Sequence, residues 1–506
     1  MVLNKLTIAQ ASEGLRNKTF SSVELTKACL SEIKKTDDKI KSFITITENY
    51  ALLQAEKADQ KIKNGDEKNN LLLGIPCSIK DVILTKNILT TAASNILKNY
   101  IPPYDATLIL KLKKQGMVML GKVNCDAFAH GASTENSDFF TTHNPWDLER
   151  VPGGSSGGSA SSVASNQCLY SIGTDTGGSI RQPAAFCGVV GLKPTYGRIS
   201  RSGLISMTSS TDCPSIMAKN VSDTALILKE LAGKDKLDAT SSGQKVDDYS
   251  EFLKNENIKG LKIGVPKEYF IKELNSDIKN AVQNAIKKLE KLGAEIIEIS
   301  LPHTKYAVPT YYIITPSEVS SNLARFDGIK YGYSEVCKVE SYKVHKVDEV
   351  KSLEEVYLES RANGFGSEAK RRIILGTYAL SSGYYDAYYL QAQKVRTLIK
   401  KDFDDAFQKV DVIITPTSPN VAFKIGEHND NPLELYLEDI FLSAASLAGV
   451  PAISIPCGFA KPKDGKIEMP IGMQIIGKHF DEKTILKIAK AYERNINNIN
   501  LCIQKK

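Results

Sequence analysis

Residues 261–302 constrain the fold more than any other stretch. LKIGVP (261–266) is a short apolar run, the pattern of a buried strand. Residues 276–292 then place Ile278, Ala281, Val282, Ala285, Ile286, Leu289 and Leu292 on one helical face, and Gly293 closes the helix. AEIIEISLP (294–302) reads as strand again, and DVIITPTSP (411–419) as one more strand ending in turn residues. Strands alternating with helices predict an α/β fold.

The rest of the chain narrows this. The N-terminal region reads as helical: Ser21 and Glu24 form a capping box, and Phe20 with Leu25 a hydrophobic staple. Length alone allows more than one domain in 506 residues. The two polar stretches that could divide it are 233–260, a solvated connection, and 334–351, a charged insertion. Neither is long or Pro/Gly-rich enough to be a free linker, so one domain over 1–506 is expected. Residues 442–460 lack charges over 19 positions, but two prolines, two glycines and three serines mark them as buried core, not a membrane span. No basic-then-apolar leader opens the chain, and a cytoplasmic location with no membrane contact is expected. The nine cysteines form no CxxC pair, the reading of free thiols in a reducing compartment. The six histidines are scattered and no metal site is expected. A net charge of +7, from 65 basic and 58 acidic side chains, is too mild to announce a nucleic-acid binder.

Chemistry enters at VPGGSSGGSASS (151–162), where ten of twelve residues are Gly, Ser or Ala. In isolation that composition is linker. Here small and apolar residues follow at once (159–173), which suits a packed helix running into a strand. A phosphate loop would need Gly-Lys-Ser/Thr, and no lysine follows Gly157 or Gly158. A second turn, TDTGGSIR (174–181), again sets two glycines before a serine, letting successive N–H groups converge on one concavity. Two such turns suggest acyl transfer, and a serine nucleophile needs a base. No histidine lies between Gly153 and Gly203; Lys80, in the apolar segment GIPCSIKDVIL (74–84), is the candidate. Desolvation there would favour its neutral amine, whereas pairing with Asp81 would make it structural.

GIPCSIKD, VPGGSSGGSASSVAS and GTDTGGSIRQPAAFCGVVGLKPTYGRISRSGL together resemble the amidase signature family. That resemblance implies a mixed central β-sheet covered by helices on both faces, with the signature core at about 74–220. It also implies a Ser-Ser-Lys triad: Ser179 as nucleophile, Ser155 as bridging serine after a cis peptide, and Lys80 as base. Thr176, Gly177 and Gly178, with Ser179, would supply the oxyanion-hole N–H groups.

The triad leaves open a free-standing amidase of another small amide, or a catalytically silent assembly component. Within the family, SNLARFDGIKYGY (321–333), KRRIILGTYALSSGYYDAYYLQAQKVRTLI (370–399) and GMQIIGKHFDE (472–482) resemble the A subunits of tRNA-dependent amidotransferases. This implies hydrolysis of glutamine and delivery of ammonia for converting Glu-tRNA(Gln), or Asp-tRNA(Asn), to the amide. Matching the motifs assigns Arg372 to the glutamine α-carboxylate, Asp439 to its α-ammonium and Tyr311 to the pocket wall. B and C subunits are the implied partners. No cofactor is expected in this chain, while ATP, Mg2+ and most contacts to the charged tRNA would belong to the B subunit. Two departures stand out: TDCPSIM (211–217) lacks the family's Gly-Pro after its aspartate, and 334–351 is inserted.

Overall fold

The strand–helix–strand unit forms where the pattern placed it, as strands Lys262–Pro266 and Glu295–Ile299 around a helix at Ser276–Lys291. The two strands pair in parallel, Lys262 opposite Glu295 and Pro266 opposite Ile299. The computed structural model describes residues 2–65, 70–254, 256–272, 274–335, 352–428, 431–465 and 467–496. The charged insertion, but for Ser334 and Glu335, falls outside them.

In chain order the strands are β1 (Phe43–Ile46), β2 (Pro76–Lys80), β3 (Val118–Val123), β4 (Tyr170–Asp175), β5 (Val190–Lys193) and β6 (Cys213–Ala218), then β7 (Lys262–Pro266), β8 (Glu295–Ile299), β9 (Val412–Pro416), β10 (Ala452–Ala460) and β11 (Met469–Gly477). They join one mixed sheet in the order β1-β3-β2-β4-β6-β5-β10-β11-β9-β7-β8. β3, β2 and β4 run parallel, as do β9, β7 and β8; the pairings from β4 to β9 are antiparallel. Every residue of β2–β6, β9 and β11 is buried, which requires cover on both faces of the sheet. Helices Gly157–Ala164, Arg181–Cys187, Val221–Leu231, Ser276–Lys291 and Glu482–Asn495 pack on it. The α/β class with a helix-covered mixed sheet is therefore as expected.

Local expectations hold in detail. Ser21 caps its helix: Oγ accepts from Glu24 N–H at 3.1 Å, while Glu24 accepts from Ser21 N–H at 2.7 Å. Residues 442–460 form a short helix (Ser443–Ala448) and β10, inside the core. Most described residues of 233–260 are exposed or half-buried, as its polarity implies, and a few polar and aromatic groups tie it to the body of the fold. Asp235 accepts from both Thr107 and Ser200 hydroxyls at 2.6 Å, and the Tyr249 ring is fully buried. No described helix is long and apolar enough to cross a membrane.

Candidate active site

The site lies where two parallel strands end together. β2 and β4 are neighbours in register, Ile79 opposite Ile172, so Lys80 at the end of β2 reaches Thr174 near the end of β4. The serine–glycine stretch supplies the third wall, leading into the helix Gly157–Ala164, whose packing against β2, β3 and β4 needs small residues. A Cβ at Gly158 would come within 2.5 Å of the Asn124 carbonyl oxygen.

Lys80 is fully buried and makes no ion pair among the described residues. Asp81 pairs instead with Lys122, at 3.5 Å, so the pairing that would make Lys80 structural does not form. The Lys80 Nζ sits among three hydroxyls: Ser155 Oγ at 2.8 Å, Ser156 Oγ at 2.9 Å and Thr174 Oγ1 at 3.0 Å. Burial dominates its titration and moves the amine below its ordinary value, against the pull of Cys125, Asp126, Asp212 and Asp175. Ser156 already donates to the Thr174 carbonyl at 3.0 Å, so towards Lys80 it acts as acceptor. A neutral amine can give its two protons to Ser156 and Thr174 and keep its lone pair for Ser155.

Ser179 lies in the turn between β4 and the helix Arg181–Cys187, and its carbonyl accepts from Ser156 N–H at 3.2 Å, tying the two glycine-rich turns together. Its side chain and the N–H groups of Gly177, Gly178 and Ser179 have no hydrogen-bond partner among the described residues. Two glycines are needed here. Gly178 has φ +143°, and a Cβ at Gly177 would lie 2.6 Å from the Tyr311 ring. A buried ion pair holds the turn: Arg181 grips Asp175 with two bonds of 2.9 Å and donates to Gln474 at 2.6 Å, Ser446 at 2.8 Å and the Leu442 carbonyl at 3.1 Å. Thr176 is fixed by its hydroxyl, which donates to Asp212 at 2.8 Å. Asp212 also accepts from Met207 and Thr208 N–H, so the wall that lacks Gly-Pro is built of hydrogen bonds.

The Gly154–Ser155 peptide is cis. Gly154 N–H donates to Gln182 at 3.0 Å, and a Cβ on Gly154 would fall 2.3 Å from the Asp126 carboxylate. Asp126 accepts from Thr134 and Asn136 N–H, each at 3.0 Å; burial raises its carboxyl to about 6 despite them.

The three residues assigned to the substrate gather above this centre. Tyr311 is buried against Gly177. Arg372 is buried over the rings of Tyr312 and Tyr436, at 5.0 and 5.4 Å, and its Nε donates to Glu368 at 2.8 Å. Its neighbour Arg371 points outward. Tyr312 donates its hydroxyl to Asp439 at 3.1 Å. Burial raises the Asp439 carboxyl to about 7, with the Tyr312 hydrogen bond and the Arg372 charge opposing it.

Sequence reasoning missed Ser156, Thr174 and Asp126. The first two stand beside assigned residues in the same motifs and were within reach; Asp126 has no local signal. Among the described residues no cluster of His, Cys, Asp or Glu is placed to hold a metal.

The centre brings together a buried amine drawn below its ordinary value and hydrogen-bonded to Ser155, and a Ser179 turn whose N–H groups have no partner among the described residues, an arrangement suited to acyl transfer. The family model described as Amidase matches residues 24–486. The A subunit of the glutamyl-tRNA(Gln) amidotransferase of Carboxydothermus hydrogenoformans is 53% identical over 495 residues, covering 98% of each chain. Its counterpart from Sulfurihydrogenibium sp. is 54% identical over 493 residues, covering 97% of this chain and 98% of its own. The crystal structure of the Thermotoga maritima counterpart superposes with a TM-score of 0.77 at 41% identity, covering 97% of this chain and 95% of the other.

Proposed function

The chain belongs to the amidase signature family, and from that premise we propose that it is the glutamine-hydrolysing component, the A subunit, of a tRNA-dependent amidotransferase. The observation that carries the reading is Lys80, fully buried, drawn below its ordinary value by that burial and 2.8 Å from Ser155.

The reaction runs in two halves. Ser179 Oγ attacks the side-chain amide carbon of glutamine while its proton passes through Ser155 to the Lys80 lone pair. The developing oxyanion takes the free N–H groups of the 176–179 turn, donors worth ~2.7–4 kcal/mol each where one has been removed elsewhere. Lys80 returns the proton through Ser155 to the leaving nitrogen; the C–N bond breaks, ammonia departs, and a glutamyl ester remains on Ser179. Water, deprotonated by the same relay, releases glutamate and restores the serine. Arg372 holds the α-carboxylate, ionised Asp439 the α-ammonium, and Tyr311 closes the wall between them.

Ammonia would then pass to a partner B subunit, bridged by a C subunit, where ATP and Mg2+ would serve to activate the carboxylate of Glu-tRNA(Gln) or Asp-tRNA(Asn). A cytoplasmic setting suits this role, and the seven described cysteines, all free and buried, suit a reducing one. Copurification with the partners followed by glutamine-dependent amidation of charged tRNA tests the proposal. Amidation lost in Ser179→Ala but rescued by added ammonium supports it. Ammonia released readily from simple amides but not from glutamine favours a free-standing amidase instead.

A further inference from the structure

His130 stands outside the scheme above, and its environment is unusual. The imidazole is fully buried, yet neither Nδ1 nor Nε2 has a hydrogen-bond partner among the described residues. Arg372 Nη1, on the guanidinium assigned to the substrate carboxylate, is likewise buried and without a partner among the described residues. Buried polar atoms without partners are destabilising, so two of them on neighbouring charged and ring groups call for an explanation, and a bound anion supplies one.

The local backbone explains how His130 comes to the site. Phe128 and Ala129 both adopt positive φ, 53° and 64°, and turn the chain sharply before it. The Phe128 ring anchors the turn against Phe326 and Phe365 at 5.1 and 5.6 Å, with the His130 ring 6.2 Å away. Phe365 lies two residues before the helix Ser367–Leu380 that carries Arg372. On the other side, Gly131 abuts the Asp126 carboxylate, and the Ala132–Ser133 backbone lies against Gly154, beside the bridging serine. His130 therefore stands between the Ser155 segment and the Arg372 helix. Burial, reinforced by the Arg372 charge, keeps its ring neutral, with one N–H to donate.

We propose that His130 is a substrate-binding residue whose N–H joins Arg372 Nη1 on the α-carboxylate, one donor for each oxygen, so that selection of an α-amino-acid amide over a plain amide is shared between them. The inference rests on the glutaminase reading and assigns a further residue to the same pocket.

The test compares glutamine with propionamide, which lacks the carboxylate, in the full-length chain and in His130→Leu and His130→Gln. Loss of one hydrogen bond to a charged group should raise the KM for glutamine in His130→Leu roughly tenfold. The kcat and the turnover of propionamide should be unchanged, and His130→Gln, which keeps a donor, should recover most of the loss. An unchanged KM in His130→Leu overturns the proposal, as does an equal fall on both amides, the mark of a merely structural histidine. A parent chain that turns over propionamide but not glutamine overturns the glutaminase reading and this inference with it, so the two failures are distinguishable.

Discussion

Lys80→Met separates the catalytic from the structural role of the buried amine. The side chains are close in length, and the position is fully buried at the end of β2, so methionine fits the same space. The substitution removes the contacts to Ser155, Ser156 and Thr174, each worth about 1 kcal/mol net. It also removes an amine whose charged form burial disfavours. Burial lowers the folded-state value below 10.5, so between the two values the unfolded chain holds a proton that the folded chain does not. The cost of burying Lys80 is thus largest at low pH and fades as pH rises towards 10.5. Gains and losses nearly cancel at neutral pH, and the melting temperature should move by no more than roughly 4 °C, with the variant relatively favoured at acid pH. Activity should not be spared. Lys80 takes the proton from Ser179 and returns it to the leaving group, so the loss lies near the upper end of the ~10²–10⁴ range for acid–base groups. Ammonia release, read beside calorimetric melting of the same samples, checks both halves. A well-folded Lys80→Met chain retaining a tenth or more of the parent rate, about a tenfold loss or less, would refute the base assignment.

Three further outcomes follow from the pocket. Arg372→Ala should raise the KM for glutamine by roughly 10- to 150-fold, the 1.5–3 kcal/mol of a hydrogen bond to a charged group, with kcat far less affected. Because the Asp439 carboxyl is raised to about 7, it is protonated below that pH and cannot pair with an ammonium group. The kcat/KM for glutamine should therefore climb as pH rises through about 7, and Asp439→Asn should lower it and remove that component of the climb in a pH–rate series. Gly177→Ala drives a methyl to 2.6 Å from the Tyr311 ring, so the turn must shift and kcat should drop towards the ~10²–10³ of a missing oxyanion donor, with melting little changed.

What could be read from the chain beforehand follows the range of the interactions. The 261–302 unit, the Ser21 cap and the helix-to-strand passage at 159–173 are set by neighbours a few residues apart, and all three form as read. Lys80 was ambiguous because its alternatives depend on distant partners: Asp81 is claimed by Lys122, across the β2–β3 pairing, and no local pattern announces that. Arg181 illustrates the same limit, since it holds the Ser179 turn through residues as far away as Gln474. Asp126 and His130 act through a turn with two consecutive positive-φ residues, neither of them glycine, so the usual signal is missing. The stretch 233–260 is largely exposed, as its polarity implies, and what its composition does not announce is the Asp235 tie to Thr107 and Ser200.

The proposed reaction depends on an ester formed at one serine. Mass spectrometry of the chain quenched in acid during glutamine turnover reads this directly. The expected result is a glutamyl adduct on the peptide that contains Ser179, absent from Ser179→Ala and retained in Ser155→Ala whenever that variant turns over at all. An adduct on any other residue, or steady glutamine hydrolysis by Ser179→Ala, contradicts it.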